Sequence, residues 1–311
     1  MSNSELRKPL VTVGIVTYNS SEFIVEALDS VFEQTYGNIE LIVSDDCSQD
    51  NTVEICRQWM DEHVQRFVHT EVMTVEKNTG VSANCNRAAR KGSGEYIKLF
   101  AGDDRLLPNC IEDHICYMFE HADSDLLFSD QQVIGKGQDG KNIISPAIFF
   151  NHLTKFEFKI WQLVYSGLPT PTCFMKREVY NRLGGYDEEI PFLEDKPFWV
   201  KALWADCVIR YMPLTTVQYR VNPNSLSQTK HSPNYHKMTE SRIVASTYFL
   251  SKMREISWWL WLYGKSRYEK EFYPSIKTYV FYALRFINPY YFYLKYLSYK
   301  LMVYRITAKV I

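Results

Sequence analysis

Three pairs of adjacent acids stand out along the 311 residues: Asp45-Asp46, Asp103-Asp104 and Glu194-Asp195. Two neighbouring carboxylates repel one another and destabilise a fold unless a cation lies between them. For Asp103-Asp104, a divalent metal bridging to a phosphate is the economical explanation. A polar turn with a helix cap is the other reading, because Leu106-Leu107-Pro108 follows. Any one acidic pair can simply cap a helix or sit in a solvated turn. Three pairs, each tied to a separate buried segment, look less like chance, and if the first two strands neighbour the central one their loops converge on one crevice.

The stretch from Gly94 to Asp104 is the element that must position the central pair. Tyr96, Ile97, Leu99 and Phe100 suit a buried strand. Gly102 lets the backbone turn tightly, so the acids emerge at the strand's C-terminal end, where open α/β sheets bind ligands. Upstream, Val11–Val16 reads as a strand and Thr17-Tyr18-Asn19-Ser20 as the loop after it. Phe23, Ile24, Ala27, Leu28 and Val31 recur at helical spacing. Ile39–Val43 is a second strand running into Asp45-Asp46. Asn51 or Thr52 is placed to cap a helix reaching about Met60. A short strand over Val72–Val75 precedes the Asn78-Thr79-Gly80 turn and a helix over Ser82–Lys91. This alternation predicts an α/β fold with a mostly parallel, doubly wound sheet. Beyond it, Pro108 is assigned to the first turn of a helix. Asp125–Ser129 and Thr172–Met175 read as strands, and 131–170 as irregular with a hairpin-like piece at Gly135–Gly140. A short helix should stop at Gly184-Gly185, and another should follow Glu194-Asp195 through Trp204. Two short strands around Val208–Tyr211 and Thr216–Val221 close the domain.

The net charge of −1 is by itself uninformative, and no nucleic-acid partner is expected. The seven cysteines are scattered, odd in number and without a CxxC pair, so neither a disulfide framework nor a zinc site is indicated. There is no signal-peptide apolar region at the N-terminus. No window reaches the roughly 20 apolar residues of a spanning helix. A cytosolic protein is therefore expected. Its C-terminal end is unusual: from Phe272 to Ile311 there are six Lys/Arg, thirteen aromatics and no acid. Trp258–Tyr263 and Tyr290–Leu297 are the densest aromatic runs. Tyr and Trp favour the membrane–water interface, and each basic residue near anionic headgroups contributes about 1 kcal/mol. Peripheral attachment to the inner face of the cytoplasmic membrane is predicted. Packing on the rest of the chain, or a homodimer interface, is the other reading.

The motifs taken in order resemble the family 2 glycosyltransferases, inverting enzymes with a GT-A fold, over about residues 10–230. The matching pieces are Val13–Asn19, Val43–Asp50, Asn78-Thr79-Gly80, Gly94–Ile97, Gly102-Asp103-Asp104, Gly184–Glu188, Glu194-Asp195 and Tyr219-Arg220. The resemblance implies a catalytic domain over 1–230, with 10–130 binding the nucleotide-sugar and 131–230 the acceptor. Residues 231–311 then form a helical extension. By the same resemblance Thr17 and Tyr18 line the nucleoside pocket, Asp46 accepts from uracil and Asp45 holds its loop. Asn78 and Asp103 face the donor, and Asp104 ligates Mn²⁺ or Mg²⁺. Asp195 is the general base and Glu194 shapes the site beside it. Pro169-Thr170-Pro171 and Trp199 are placed around the acceptor. The implied reaction moves one sugar, from a UDP-sugar, to a hydroxyl of a glycan or polyprenyl-diphosphate-linked glycan in surface polysaccharide synthesis. A dTDP- or GDP-sugar donor, or an inactive nucleotide-binding scaffold at the membrane, are the alternatives.

The chain also departs from the family pattern. Cys47 stands where glycine is usual, Ala101 where a further acid is frequent, and Cys85 where arginine is common. Asn222 falls where a metal-binding histidine is often found, with His231 as a substitute. No Gln-x-x-Arg-Trp occurs, which disfavours the processive synthases. The first loop, Thr17–Ser20, has neither Gly nor Lys, which argues against a nucleotidyltransferase, and the absence of GxGxxG argues against a Rossmann dehydrogenase.

Overall fold

Val11–Thr17 (β1) and Ile39–Asp45 (β2) are buried along almost their whole length. That is the pattern of strands covered by helices on both faces. The computed structural model describes residues 8–135, 141–143, 153–165, 167–221, 235–272 and 287–307. Between these strands, Ile24–Phe32 (α1) buries Ile24, Ala27, Leu28 and Val31, the stripe legible in the sequence. Thr52–His63 (α2) runs one turn past Met60. Neither Asn51 nor Thr52 caps it through a side chain; Asp50 does the holding, accepting from the Thr52 N–H at 3.1 Å and the Thr52 hydroxyl at 2.5 Å. His69–Met73 (β3) starts three residues earlier than the apolar run suggests, because His69 and Thr70 already pair with β2. Val81–Lys91 (α3), Tyr96–Ala101 (β4) and Arg105–Leu106 (β5) follow.

The second half holds more surprises. Cys110–Glu120 (α4) begins two residues after Pro108, whose carbonyl instead accepts from the Thr35 N–H. Leu126–Ile134 (β6) pairs with Lys141–Ile143 (β7), the described part of the expected hairpin; 136–140 lie outside the described residues. The stretch read as irregular contains a helix, Lys155–Val164 (α5), started by a reciprocal capping box between Thr154 and Glu157. A single 3-10 turn at Thr170–Thr172 leads into Phe174–Lys176 (β8) and Arg177–Leu183 (α6), which stops at Gly184 in the left-handed region. Asp195–Trp204 (α7) is followed by one long strand, Ile209–Arg220 (β9), in place of two short ones. Its register against β6 shifts near Ser129–Gln131, and a bulge there does the work assigned to a break.

The strand order is β3-β2-β1-β4-β8-β6-β9-β5, with β7 on β6. β3, β2, β1 and β4 are parallel neighbours, as the alternation predicts. Beyond β4 the sheet is mixed: β8 runs antiparallel to both β4 and β6, while β6 and β9 are parallel. One core lies under α1, α2 and α4, and a second under α3, α6 and α7. The loops after β1, β2 and β4 therefore leave the sheet on one edge, side by side.

Tyr235–Ile256 (α8), Trp258–Phe272 (α9) and Pro289–Thr307 (α10) form the C-terminal extension. It does not stand apart. Ala245, Phe249 and Met253 of α8, Leu260 and Tyr263 of α9, and Leu294 and Leu297 of α10 share a third core with Ile160, Leu163 and Val200 of α5 and α7. Its outer faces remain aromatic: Trp258, Phe292, Tyr296 and Tyr299 are more than half exposed. Among the described residues no helix is long and apolar enough to cross a membrane.

Candidate active site

The edge where β1, β2 and β4 end opens into a cleft of about 1270 Å³. Its walls bring together Thr17, Tyr18, Asp46, Asn78, Asp103, Asp104 and Asp195. These seven candidates thus line one cavity, although Asp195 lies far from the others in the chain.

At the β1–β2 end, the turn after β1 is held by side chains. Asn19 takes a positive φ of 52°. Its N–H donates to Ser48 Oγ and its Oδ1 accepts from the Gln49 N–H. Tyr18 is carried out into the cleft and is 42% exposed, a ring available for stacking and not part of the core. Asp45 holds the loop: its carboxylate accepts from the Thr17 and Thr74 hydroxyls and from both the N–H and hydroxyl of Ser48. Asp46 is buried and already engaged. It accepts from the Thr79 and Gly80 N–H groups, the Thr79 hydroxyl and Arg87 Nη2 at 2.8 Å. Gly80 makes this possible. Its φ is +90°, and a Cβ there would lie 2.5 Å from the Pro191 carbonyl oxygen. Among the described residues Asn78 Oδ1 and Gln131 Oε1 are buried without a hydrogen-bond partner, and both residues line the cleft. A buried orphan acceptor is costly unless a ligand or water supplies a donor.

Cys47 has φ +69°, the left-handed region. The glycine usual at this position in the resembling family would adopt it freely, whereas a side chain costs roughly 1–2 kcal/mol. Its thiol recovers little through a 3.3 Å contact with the Glu76 carbonyl. Cys47→Gly is expected to raise the thermal midpoint by a few degrees, read by scanning calorimetry. An unchanged or lowered midpoint would contradict the strain.

The central pair sits in a different environment. Asp104 is fully buried and Asp103 partly so. Burial raises both carboxyls above the usual range, and the neighbouring Asp103 pushes Asp104 up further. Arg220 works against this. Its backbone N–H donates to Asp104 Oδ1 at 2.8 Å and its Nε to the Asp103 carbonyl at 2.9 Å. Its Nη2 is tied to Glu26 at 2.6 Å, and the guanidinium rests 4.4 Å over Phe23. The acid pair and its Arg220 clamp together line the cleft. Among the described residues no group of three His, Cys, Asp or Glu side chains could cage a metal. Asn222 and His231 lie outside the described residues. A donor set of two adjacent carboxylates fits a hard ion that takes its remaining ligands from phosphate oxygens and water.

The third pair lines the same cleft at the start of α7, with Glu194 at its N-cap and Asp195 its first residue. Thr170 Oγ1 donates to Asp195 Oδ2 at 2.9 Å, and the Lys196 N–H donates to Asp195 Oδ1. The Pro169-Thr170-Pro171 segment therefore aims Asp195, a role not readable from its position. Trp199, expected around the acceptor, is buried in the core against Phe128 and Phe198. Burial, and then the Asp195 charge, raises Glu194 to about 8. A carboxyl that holds its proton at pH 7 cannot serve as a base there. The folded state keeps a proton that the unfolded chain releases above its ordinary value of 4.5. Stability therefore falls as pH rises from about 4.5 through 8. Glu194→Gln is expected to match wild type near pH 5 and to exceed its thermal midpoint increasingly up to pH 8.5. A difference independent of pH would overturn the assignment.

Residues missed from the sequence are those that connect the pieces. Asn84 Nδ2 donates to the Thr17 carbonyl and Arg87 joins Asp46, Thr79 and Asn84. Asn86 binds both the N–H and the carbonyl of Tyr186, which pins the Gly184-Gly185-Tyr186 turn to α3. The only signal for them was their place on the polar side of α3, facing the strand ends.

Comparison with known proteins bears on the family and the fold. The model of Glycosyl transferase family 2 matches residues 12–184. An uncharacterised glycosyltransferase of Methanocaldococcus jannaschii is 28% identical over 240 residues, 76% of this chain and 79% of that one. The crystal structure of S. aureus TarS 1–349 with UDP-GlcNAc superposes with a TM-score of 0.60 at 21% identity, over 78% of this chain and 66% of that chain. The mannosyltransferase PcManGT of Pyrobaculum calidifontis, in complex with GDP-Man and Mn²⁺, gives 0.54 at 16% identity, over 96% and 87%. At these identities the structural matches establish the GT-A fold.

Proposed function

This chain belongs to glycosyl transferase family 2, and on that premise we propose that it moves one sugar from a nucleoside diphosphate sugar, UDP-linked, to an acceptor hydroxyl with inversion. The observation that carries this is the presence of two separate acidic centres in one cleft. Asp104 is buried beside the partly buried Asp103, and both are clamped by Arg220. Asp195 lines the same cleft and is oriented by Thr170. The neighbours captured with UDP-GlcNAc and with GDP-Man and Mn²⁺ support a nucleotide-sugar donor and a divalent ion.

In this reading Tyr18 stacks on the base, Asn78 offers its orphan oxygen to the donor, and Asp46 stiffens the Thr79-Gly80 wall against it. Asp104, with Asp103 beside it, would hold Mn²⁺ or Mg²⁺ together with the diphosphate. Such an ion supplies a Lewis acid that stabilises charge on the leaving diphosphate. Asp195 takes the proton from the acceptor hydroxyl as that oxygen attacks the anomeric carbon from the opposite side. One displacement gives inversion. The acceptor is a glycan or a lipid-linked glycan of a surface polysaccharide. Release of nucleoside diphosphate should be measured over UDP-, GDP- and dTDP-sugars with Mn²⁺. Turnover with UDP-sugars alone supports the reading; preference for a GDP- or dTDP-sugar would reassign the base, and no turnover with any would favour a scaffold.

The catalytic unit of 1–230 is completed by the extension, whose exposed Trp258, Phe292, Tyr296 and Tyr299 suit a peripheral position on an anionic membrane. The chain is expected to sediment with phosphatidylglycerol vesicles at low salt and to be released at high salt. Equal recovery with neutral vesicles would remove the electrostatic part.

A further inference from the structure

The acceptor end of the cleft is built partly by the extension, outside the residues that match the family model. On α8, Met238, Arg242, Ala245, Phe249 and Met253 share one face by helical spacing. All but Arg242 are buried on the inner side. On α9, Leu260, Tyr263 and Arg267 share a face, and the first two are buried. Each inner stripe thus carries one arginine among apolar residues. Both arginines are half-buried and both line the cleft. Among the described residues neither pairs with a carboxylate; Arg267 instead lies 5.1 Å over the Tyr165 ring. Arginines on an inner face are normally paired, because a desolvated, unpaired charge is destabilising. Leaving two of them turned into a ligand cavity is the electrostatic signature of an anion site.

The surroundings narrow the anion. Phe249 and Tyr268 have ring centroids 6.4 Å apart and line the same end, with Met238 and Phe192. Lys196 Nζ lies 4.6 Å over the Phe249 ring, one residue from Asp195. Two guanidinium forks from separate helices suit a dianionic group with several oxygens. We propose that Arg242 and Arg267 form an acceptor-side phosphate subsite, which holds a phosphate carried by the acceptor while its hydroxyl faces Asp195. This rests on the transferase reading above and names the class of acceptor it takes.

The test is calorimetric titration of octyl phosphate into the full chain saturated with UDP and Mn²⁺, so that the donor site is filled. Wild type is expected to bind it. Arg242→Gln and Arg267→Gln should each weaken binding at least 10-fold, Arg242→Lys and Arg267→Lys less, with UDP affinity unchanged in all four. Glycerol 3-phosphate bound equally well assigns a free phosphate ester; tighter octyl phosphate assigns a lipid-linked one. Equal affinity for glucuronate or octyl glucoside, or Gln variants that bind like wild type, would overturn the subsite. If UDP does not bind, the donor reading fails, and the same titration of the bare chain and its Gln variants still decides the subsite.

Discussion

Replacing Asp195 by asparagine is expected to lower kcat about 10³-fold and to leave UDP affinity within twofold of wild type. A positioned general base contributes about 10²–10⁴-fold, and asparagine keeps the size and one acceptor oxygen of aspartate while losing the ability to take a proton. In the proposed reading the donor is held by Tyr18, Asn78 and the Asp103-Asp104 pair and not by Asp195, so its affinity should be insulated from the change. Thr170→Val removes the 2.9 Å hydrogen bond that orients the carboxylate. A single bond of this kind is worth about 1 kcal/mol, so that variant should lose only about 5-fold in kcat. Glu194→Gln should resemble wild type at pH 7, because Glu194 already holds its proton there. Quenched-flow or steady-state assays of UDP release separate the three. Turnover retained in Asp195→Asn, or lost equally in Glu194→Gln, would move the base elsewhere.

The parallel half of the sheet was legible because its signals are local. The run Ile39–Val43 is apolar at every position but Glu40, and acids placed at the ends of such runs gather where neighbouring strands stop. What the sequence concealed depends on residues far apart in the chain. Arg220 reaches Asp104 across 116 positions and Thr170 reaches Asp195 across 25; no spacing rule predicts either. The helix α5 is a different case. Its capping box, Thr154-x-x-Glu157, was present in the sequence, but it sits in a stretch that otherwise lacks strong punctuation. The aromatic extension was ambiguous for a physical reason: Tyr, Trp and Leu suit a protein core and a lipid interface equally. The structure divides them by face. Leu294 and Leu297 point inward, and Phe292, Tyr296 and Tyr299, at i, i+4 and i+7, point out. Packing on the rest of the chain and a surface for membrane are therefore compatible in one set of helices.

Asp104→Ala is expected to abolish the Mn²⁺-dependent part of UDP binding, a loss of at least 100-fold, and to leave metal-free UDP binding unchanged. The carboxylate is the one group on that wall that is both fully buried and held by the Arg220 backbone, so no neighbour can replace it without moving the clamp. A stability measurement makes the same point independently. Burial and the adjacent acid raise the Asp104 carboxyl well above its ordinary value. The metal-free fold therefore loses stability as pH rises from the unfolded value of 3.8 through the raised one. Asp104→Asn removes that charge while keeping an acceptor for the Arg220 N–H. The variant should melt a few degrees above wild type at pH 7 without metal. Wild type should overtake it once UDP and Mn²⁺ are added, since ligand at 100 times Kd contributes about 2.7 kcal/mol. The order of the two midpoints should thus invert on adding ligand. A variant less stable than wild type in both conditions would mean that the acid pair is structural, and a variant that keeps the full ligand-induced rise would mean that the ion binds elsewhere.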